Sequence, residues 1–538
     1  MKKQNGIVLV LFLLGIFMGA IDSGIVSPAR EIIQNGFGID ATSGIWMITI
    51  YTLAYAVSMP IISKMADRIG HKKVYTFSIA VFGIGSLLCG LMNFVDSFPL
   101  FLTARVIQAI GAGGILPIAT TVIGQSFPEE KRGMALGMVG MVYGVATIIG
   151  PTLGSSIISA FGIENWGAIF FINVPISIAI LLMSSGVPSI KTESKQKIDI
   201  LGSIAIGGLV ASLMYALTNL NFFKFGESIS SSSVYPFLIL AFLMLPVVIY
   251  VEKRAIDPVI NINYFKDGQM LTILAIAMMT GIGLMGMVFV PQFAENTLKI
   301  STGSGGYLVT LLAVFSGIAA PVSGKLLDKK GAGFVLRIGF ACSLFGTLIL
   351  ALFAAKALTF VSVFIGLVFM GFGVGFSMGA PLNYMVLNKA SKEDGASALA
   401  TMSLVRSMGV AISPNIMIGF IVNAGTNVLP NITKAVMPSN MTLPAAGADV
   451  SPELISNLQS ADVTNIADRL IEFLKAVIPV DAQKFALPSI ENGRDLITST
   501  FQSTINEGYS QMFIATAIVA LIGFGLTFFI KDKKVKSI

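Results

Sequence analysis

One carboxylate interrupts the first long apolar stretch of this chain, GIVLVLFLLGIFMGAIDSGIVSP at residues 6–28, and Asp22 is the only acid well inside any such stretch. An acid at the centre of a membrane-crossing helix costs about 2.5–3.5 kcal/mol on insertion scales, so folding alone would favour an apolar residue there. The matching cation is Arg105, inside the apolar stretch 98–124. At 1.5 Å of rise per residue, Asp22 lies about 9 Å and Arg105 about 10 Å from the ends of their stretches, and those ends fall on the same side. The chemistry open to such a pair is reversible protonation, with the guanidinium restraining the carboxylate and tuning its hold on the proton. A static ion pair joining two helices is the alternative. A second intramembrane cation, Arg406 in LVRSMG, has no matching acid. An anionic group, backbone carbonyls or the interface, reached by snorkelling, could each satisfy it.

The elements that position these groups follow from composition. The chain has 538 residues, of which 54% are hydrophobic and 12% charged, and its mean hydropathy is +0.84. Soluble domains carry about 25% charged residues, so the chain belongs in a membrane. Fourteen apolar stretches are long enough to cross one, at 6–28, 43–63, 74–94, 98–124, 133–160, 166–186, 200–220, 233–252, 269–293, 304–326, 334–355, 358–387, 395–423 and 509–530. The first follows MKK, as a signal peptide would. It is too long for an h-region and lacks a clear A-x-A site, so it reads as a retained helix. An even number of spans puts both termini on one side, and the Lys and Arg excess of the loops makes that side cytoplasmic. The expectation is therefore a multi-pass protein of the cell membrane with both termini cytoplasmic. The net charge of +7 reports this asymmetry and the tail KDKKVKSI, not a nucleic-acid footprint.

Other reactive residues are few. Cys89 and Cys342 sit in apolar spans and act as small hydrophobes. Trp46 and Trp166 fall near outer span ends, where an interfacial aromatic belt would place them. The sequence has no H-E-x-x-H and no phosphate-cradling Gly loop, and its single histidine, His71, falls in a loop. An enzyme is not indicated, and no cofactor or metal is expected.

An internal repeat organises the chain. SKMADRIGHKK follows the second span and GKLLDKKGAG the tenth, so Asp67, Arg68 and Gly70 align with Asp328, Lys329 and Gly331. Two related halves follow, as in many transporters. The expected division is an N-terminal six-helix bundle (1–186), an inserted pair of helices with charged linkers (187–255), and a C-terminal six-helix bundle (256–538). The last bundle includes a polar outer segment, 424–508, with amphipathic pieces that could form a small helical cap.

These stretches carry a resemblance to the major facilitator superfamily. SKMADRIGHKK is similar to its G-x-x-x-D-R-x-G-R-x-[RK] loop, with Ser63 in place of the first Gly; the second copy keeps it as Gly324. The resemblance implies a gate built from Asp67, Arg68, Gly70, Lys72, Gly324, Asp328 and Lys329, whose Asp faces a neighbouring helix N-terminus. RVIQAIGAGG resembles the family's R-x-x-Q-G-x-G stretch and puts Gln108 on the helical face of Arg105. GVATIIGPTLGSS resembles the signature of proton-driven exporters through Gly144, Gly150, Pro151 and Gly154. WGAIFFINVP and the layout of six, two and six spans resemble the fourteen-helix drug:proton antiporter branch. Its first-span motif L-D-x-T-x-x-N matches here at Asp22, with Gly24 and Ser27 in place of Thr and Asn.

The expected fold is thus an all-α membrane protein of the major facilitator type, and the expected function proton-coupled export of lipophilic or cationic compounds by a multidrug-efflux antiporter. Asp22 and Arg105 would couple protons, while Gln108, Arg406, Met285 and Gln292 would line the substrate cavity. MMTGIGLMGM at 278–287 supplies thioethers that suit such a cavity and equally well fill packing gaps. Expected partners are protons, lipophilic or cationic small molecules and membrane lipids, with no nucleic acid, for a monomer. Export of one physiological lipid or metabolite, and a sensor whose segment 424–508 binds ligand, are the alternatives.

Overall fold

A computed structural model describes the chain except for residues 1, 27–28, 40, 96, 186–198, 287–288, 299–305, 356–358, 392, 437–492 and 532–538. Every regular element among the described residues is helical. The first half contains α1 (Lys2–Ile25), α2 (Arg30–Gly36), α3 (Ala41–Ile69), α4 (His71–Leu91), α5 (Phe98–Ser126), α6 (Glu129–Phe161), α7 (Ala168–Phe171) and α8 (Asn173–Ser184). Then come α9 (Ile200–Asn219), the short α10 (Phe225–Ile229) and α11 (Tyr235–Arg254). The second half contains α12 (Gly268–Met285), α13 (Val290–Leu298), α14 (Gly306–Lys330), α15 (Ala332–Ile349), α16 (Phe360–Met378), α17 (Ala380–Lys389), α18 (Gly395–Val436) and α19 (Arg494–Leu526).

Eleven of the helices among the described residues are long and apolar enough to cross a membrane. Three shorter apolar helices, Val8–Asp22, Ala168–Ser184 and Gly268–Leu284, occupy the places of the expected first, sixth and ninth spans. Hydrophobic cores form separately within each half, one around Phe12, Tyr75 and Phe82, another around Phe293, Tyr509 and Phe513. A smaller core ties α9 to both halves through Ala56, Ile206, Met214 and Leu404.

Several boundaries depart from the sequence expectation. The twelfth span is broken at Gly379 into α16 and α17, because the Gly379 backbone (φ −80°, ψ −104°) leaves the helical region. Helix α18 runs on to Val436, through Pro414 and Pro430, and α19 begins at Arg494. Hydropathy falls in both extensions, yet the helices continue because their polar side chains pair. Asn431 donates to Thr504 at 3.1 Å, and Thr297 to Asn506 at 3.0 Å. Most of the expected cap, 437–492, lies outside the described residues. Trp166 is not part of an interfacial belt. Only 4% exposed, it packs among Phe37, Phe101 and Phe170.

The repeated Asp–basic–x–Gly unit has a local cause. Gly70 and Gly331 adopt φ of 113° and 88°, open to glycine at little cost, and each turns the chain straight from one helix into the next. Glycines also set the seam between the halves. On α6, Gly137 faces the Ala320 carbonyl and Gly324 of α14 and Gly140 faces Gly379, so backbone meets backbone, while Gly133 packs on the Gly324 carbonyl beside the side chains of Asp328 and Leu327. A Cβ at Gly324 would meet the Gly133 carbonyl and lie 2.8 Å from the Met134 Cα. Overpacking a tight seam costs about 1–3 kcal/mol. Gly324→Leu should therefore lower the thermal unfolding midpoint in detergent, while Gly525→Leu, with open space around it, should leave it unchanged.

Candidate functional site

Asp22, near the end of α1, is fully buried, and four donors converge on it from three other helices. Arg105 Nη1 of α5 donates to Oδ2 at 3.4 Å, so the structure brings together the two charges that sequence depth put at one level. Gln108 Nε2, one turn further along α5, donates to Oδ1 at 2.7 Å, and Asn173 Nδ2 of α8 does so at 2.9 Å. The Tyr51 hydroxyl of α3 adds a further bond. Ser86 of α4 supports this shell by its hydrogen bond with Gln108 Nε2, at 2.8 Å. Arg105 is 2% exposed; it donates to Gln108 Oε1 and to the Met47 carbonyl at 3.4 Å, and its guanidinium lies 4.1 Å from the centre of the Tyr51 ring. A carboxylate in a low-dielectric interior is tolerated only when paired and bonded in this way.

Gln108 was expected on the substrate cavity. The structure instead buries it behind the ion pair, because both ends of its amide are engaged by Asp22, Ser86 and Arg105. Tyr51, Ser86 and Asn173 were not singled out in the sequence. The signal for Asn173 was present in FFINVP, and Tyr51 and Tyr55 sit one turn apart in an otherwise apolar span.

The glycine and proline motif of α6 divides between two neighbours. A Cβ on Gly150 would lie 2.9 Å from the Ile21 carbonyl, and one on Gly24 would lie 2.9 Å from the Pro151 Cδ, so α1 and α6 touch one turn from Asp22. Gly24 stands where the family motif has Thr, and that contact leaves a larger side chain no room. Gly144 faces the other way, toward Ser316 of α14, while Gly154 is buried.

Between the halves lies a cavity of about 300 Å³, lined from α1, α3, α5 and α6 on one side and α12, α16 and α18 on the other. Its wall carries the aromatic rings of Tyr51, Tyr55 and Tyr143, the thioethers of Met59 and Met378, and the guanidiniums of Arg105 and Arg406. Arg105 is balanced by Asp22 behind it. Arg406 hydrogen-bonds Ser403 at 3.4 Å, and among the described residues no carboxylate pairs with it. The side chains of Met285 and Gln292 lie outside the described residues.

At one end of the cavity the halves are joined by two reciprocal contacts. Asp67 of α3 accepts the backbone N–H groups of Ala396 and Ser397, at 3.0 and 2.8 Å, in the first turn of α18. Asp328 of α14 accepts those of Gly133 and Met134, at 3.0 and 3.2 Å, near the start of α6. Asp67 thereby satisfies free N–H groups at the positive end of a helix dipole, whereas Asp328 binds one turn further into its helix, beyond the free N–H groups. The first contact is reinforced by a charge cluster. Arg68 binds Asp257 through two nitrogens and Asp394 at 3.1 Å, and Lys64 binds Asp257 at 2.6 Å and Asp394 at 3.0 Å. His71 Nε2 lies 3.1 Å from Asp67. Lys72 lies beside this cluster on α4, half-buried, and its carbonyl accepts from Thr76 at 2.8 Å. Lys329, aligned with Arg68, is exposed and makes no ion pair among those recorded for the described residues. Asp257, from the linker after α11, was not anticipated.

The family model described as Major Facilitator Superfamily matches residues 12–414. The Bacillus subtilis (strain 168) protein named Uncharacterized MFS-type transporter YfiU is 31% identical over 526 residues, covering 97% of this chain and 96% of its own length. Multidrug resistance protein 3 of the same organism is 30% identical over 439 residues, covering 80% of this chain and 82% of its own. Among solved structures, the proton:xylose symporter XylE bound to 6-bromo-6-deoxy-D-glucose superposes with a TM-score of 0.57 at 12% identity, covering 100% of this chain and 98% of that one. At that identity the likeness speaks for the fold alone.

Burial would raise the Asp257 carboxyl, but its bonds to Arg68 and Lys64 outweigh that and hold it below its usual range. Its contribution to the joined state is then complete above the ordinary carboxylate pKa of about 4 and is lost only as pH falls through the depressed value. Spin labels on α3 and α18 at this end should keep one separation as pH drops from about 7 to about 5. Asp257→Asn should widen that separation throughout the range.

Proposed function

The chain belongs to the major facilitator superfamily, and from that premise we propose that this multi-pass membrane transporter is a proton-coupled exporter of lipophilic small molecules that works by alternating access. The observation that carries the reading is Asp22, a fully buried carboxylate held by four convergent side chains beside a cavity between the two halves. Ionised, it balances Arg105 and keeps α1, α3, α5 and α8 drawn together. Protonation removes the charge that Arg105 balances, and the guanidinium then looks for another partner. Because α1 touches α6 at Gly24, Gly150 and Pro151, a shift of α1 is passed to the helix whose glycines form the seam between the halves. Proton occupancy at Asp22 would in this way bias which side of the cavity is open.

In this reading the protein lies in the cell membrane as a monomer of fourteen spans, with bundles 1–186 and 256–538, the pair 187–255 inserted, and both termini cytoplasmic. The Asp67 and Asp328 contacts are cytoplasmic latches, closed while the cavity is reached from outside. The cavity's three tyrosines and two thioethers suit varied apolar ligands, and the similarity to a protein named for multidrug resistance supports that class. The sequence alone also allowed cations. The described lining carries two guanidiniums and no carboxylate, so neutral or acidic compounds fit it better. A second reading, export of one physiological lipid or metabolite, is favoured by volume, since about 300 Å³ sits at the small end of ligand pockets.

In liposomes, Asp22→Asn should keep exchange of substrate down its own gradient and lose transport driven by an imposed proton gradient. Equal responses of variant and wild type to the gradient would make Asp22 a structural residue. At Arg406, a charge-assisted hydrogen bond of about 1.5–3 kcal/mol corresponds to roughly tenfold or more in affinity. Arg406→Gln should weaken transport of an acidic lipophilic dye by that factor and leave a neutral one unchanged, as read from competition curves.

A further inference from the structure

Helices α9 and α11 contribute nothing to the described wall of the cavity and nothing to the Asp22 shell, yet two acids meet at the end they turn toward the latch. Asp199 caps α9, its Oδ1 accepting from the Gly202 N–H at 2.8 Å. Glu252, in the last turn of α11, is 3% exposed, and its Oε2 accepts from the Ile260 N–H at 3.1 Å. Each therefore has one oxygen left over. Asp199 Oδ2 and Glu252 Oε1 are both buried, and neither has a hydrogen-bond partner among the described residues. A Cβ built on Gly202 would collide with both, so the two orphan oxygens lie over the same α-carbon.

Two carboxylate oxygens buried over one α-carbon, away from water, cannot both be charged without a cation or proton to balance them. Among the described residues the cations nearby are already engaged. Lys64 acts on Glu252 through space, but its ammonium is held by Asp257 and Asp394, as is the Arg68 guanidinium. Lys253 is exposed, and so is Arg254, whose guanidinium lies over the Tyr250 ring. Among the described residues no group of three or more metal-binding side chains is present, and the smallest charge that two carboxylates can share is a proton. One proton satisfies both orphans at once, as an O–H of one acid donated to the carboxylate of the other.

We propose that Asp199 and Glu252 share one exchangeable proton, forming a proton site separate from Asp22, and that this proton holds the linker after α11 against the latch. The connection is short. Glu252 fixes the linker at Ile260, and Asp257 within that linker binds Lys64 and Arg68. Loss of the proton to water leaves two facing negative charges, parts the ends of α9 and α11, and draws Asp257 away from α3. An alkaline cytoplasm would then open the latch through the inserted helices, whatever substrate the cavity carries.

The test uses the full-length protein in nanodiscs, in an Asp22→Asn background so that the first proton site is silent. Infrared spectra should contain a protonated-carboxyl C=O band that disappears as pH is raised from about 7 to about 9. The band should be missing in Asp199→Asn and in Glu252→Gln, each of which keeps an acceptor for its backbone N–H. Spin labels on α3 and α18 should separate over the same rise in pH and stay fixed in Glu252→Gln, whose amide can donate to Asp199 as the shared proton does. A band that persists in both variants overturns the shared proton. So does a band absent from the start together with a label separation that follows sodium or potassium concentration, which would make the occupant a metal cation. Labels that do not move while the band titrates overturn the link to the latch.

Discussion

The need to keep one carboxylate satisfied inside an apolar bundle shapes the first half of this protein. Asp22 draws a side chain from each of α3, α5 and α8, and its closest donor, Gln108, is itself anchored on α4. Five helices are thereby indexed to a single functional group, and the large aromatic residues fill in around it: Tyr51 lies under the Arg105 guanidinium, and Phe170 is 5.5 Å away. The apolar core supplies most of the burial, but burial is indifferent to small sliding of one helix past another. Hydrogen bonds to a charged group are not, since each has a narrow range of distance and angle and leaving one unmade is costly. The acid thus sets the register of helices that hydrophobic packing alone would leave loose.

Sequence pattern carried the architecture further than the site. Apolar runs and their loop charges located the helices, and counting residues placed Asp22 and Arg105 at one depth because rise along a helix is fixed. The repeated loop motif was legible for the same kind of reason: a glycine that must adopt positive φ and an acid that must face a helix N-terminus leave a spaced, local signature. Illegible were the partners brought in from far along the chain. Asn173 is 151 residues from Asp22, and Asp257 is 189 from Arg68, with nothing in the intervening spacing to report either meeting. Gln108 was misplaced because its face was right and its depth behind that face was not. Trp166 was misplaced because a span end does not imply an interface when other aromatic rings cover it.

Repeat symmetry also proved to be symmetry of backbone more than of charge. Both Asp67 and Asp328 accept backbone N–H groups from a helix of the opposite half, and the first sits beside a network of two cations and two further acids. Ser63 and Gly324 show the same division. Gly324 is pressed against the Gly133 carbonyl and must lack a side chain, whereas Ser63 has room for a buried hydroxyl. The second copy adds a close backbone contact at Gly324, and the first adds the charge network around Asp257 and Asp394.

The seam between α6 and α14 has a kinetic meaning. Interlocked side chains resist relative motion because each must leave its rotamer well before its neighbour can pass. Where Gly137 and Gly140 meet the backbone of Ala320, Gly324 and Gly379, there are few rotamers to unlock, which suits a smooth bearing. In the proposed alternating-access cycle such a bearing would offer little friction, and the charged contacts at its end would then govern the pace at which the halves rock. On that reading, substitutions among those charges would change turnover, while the shape of what is carried would be decided elsewhere, by the tyrosines and arginines of the cavity wall.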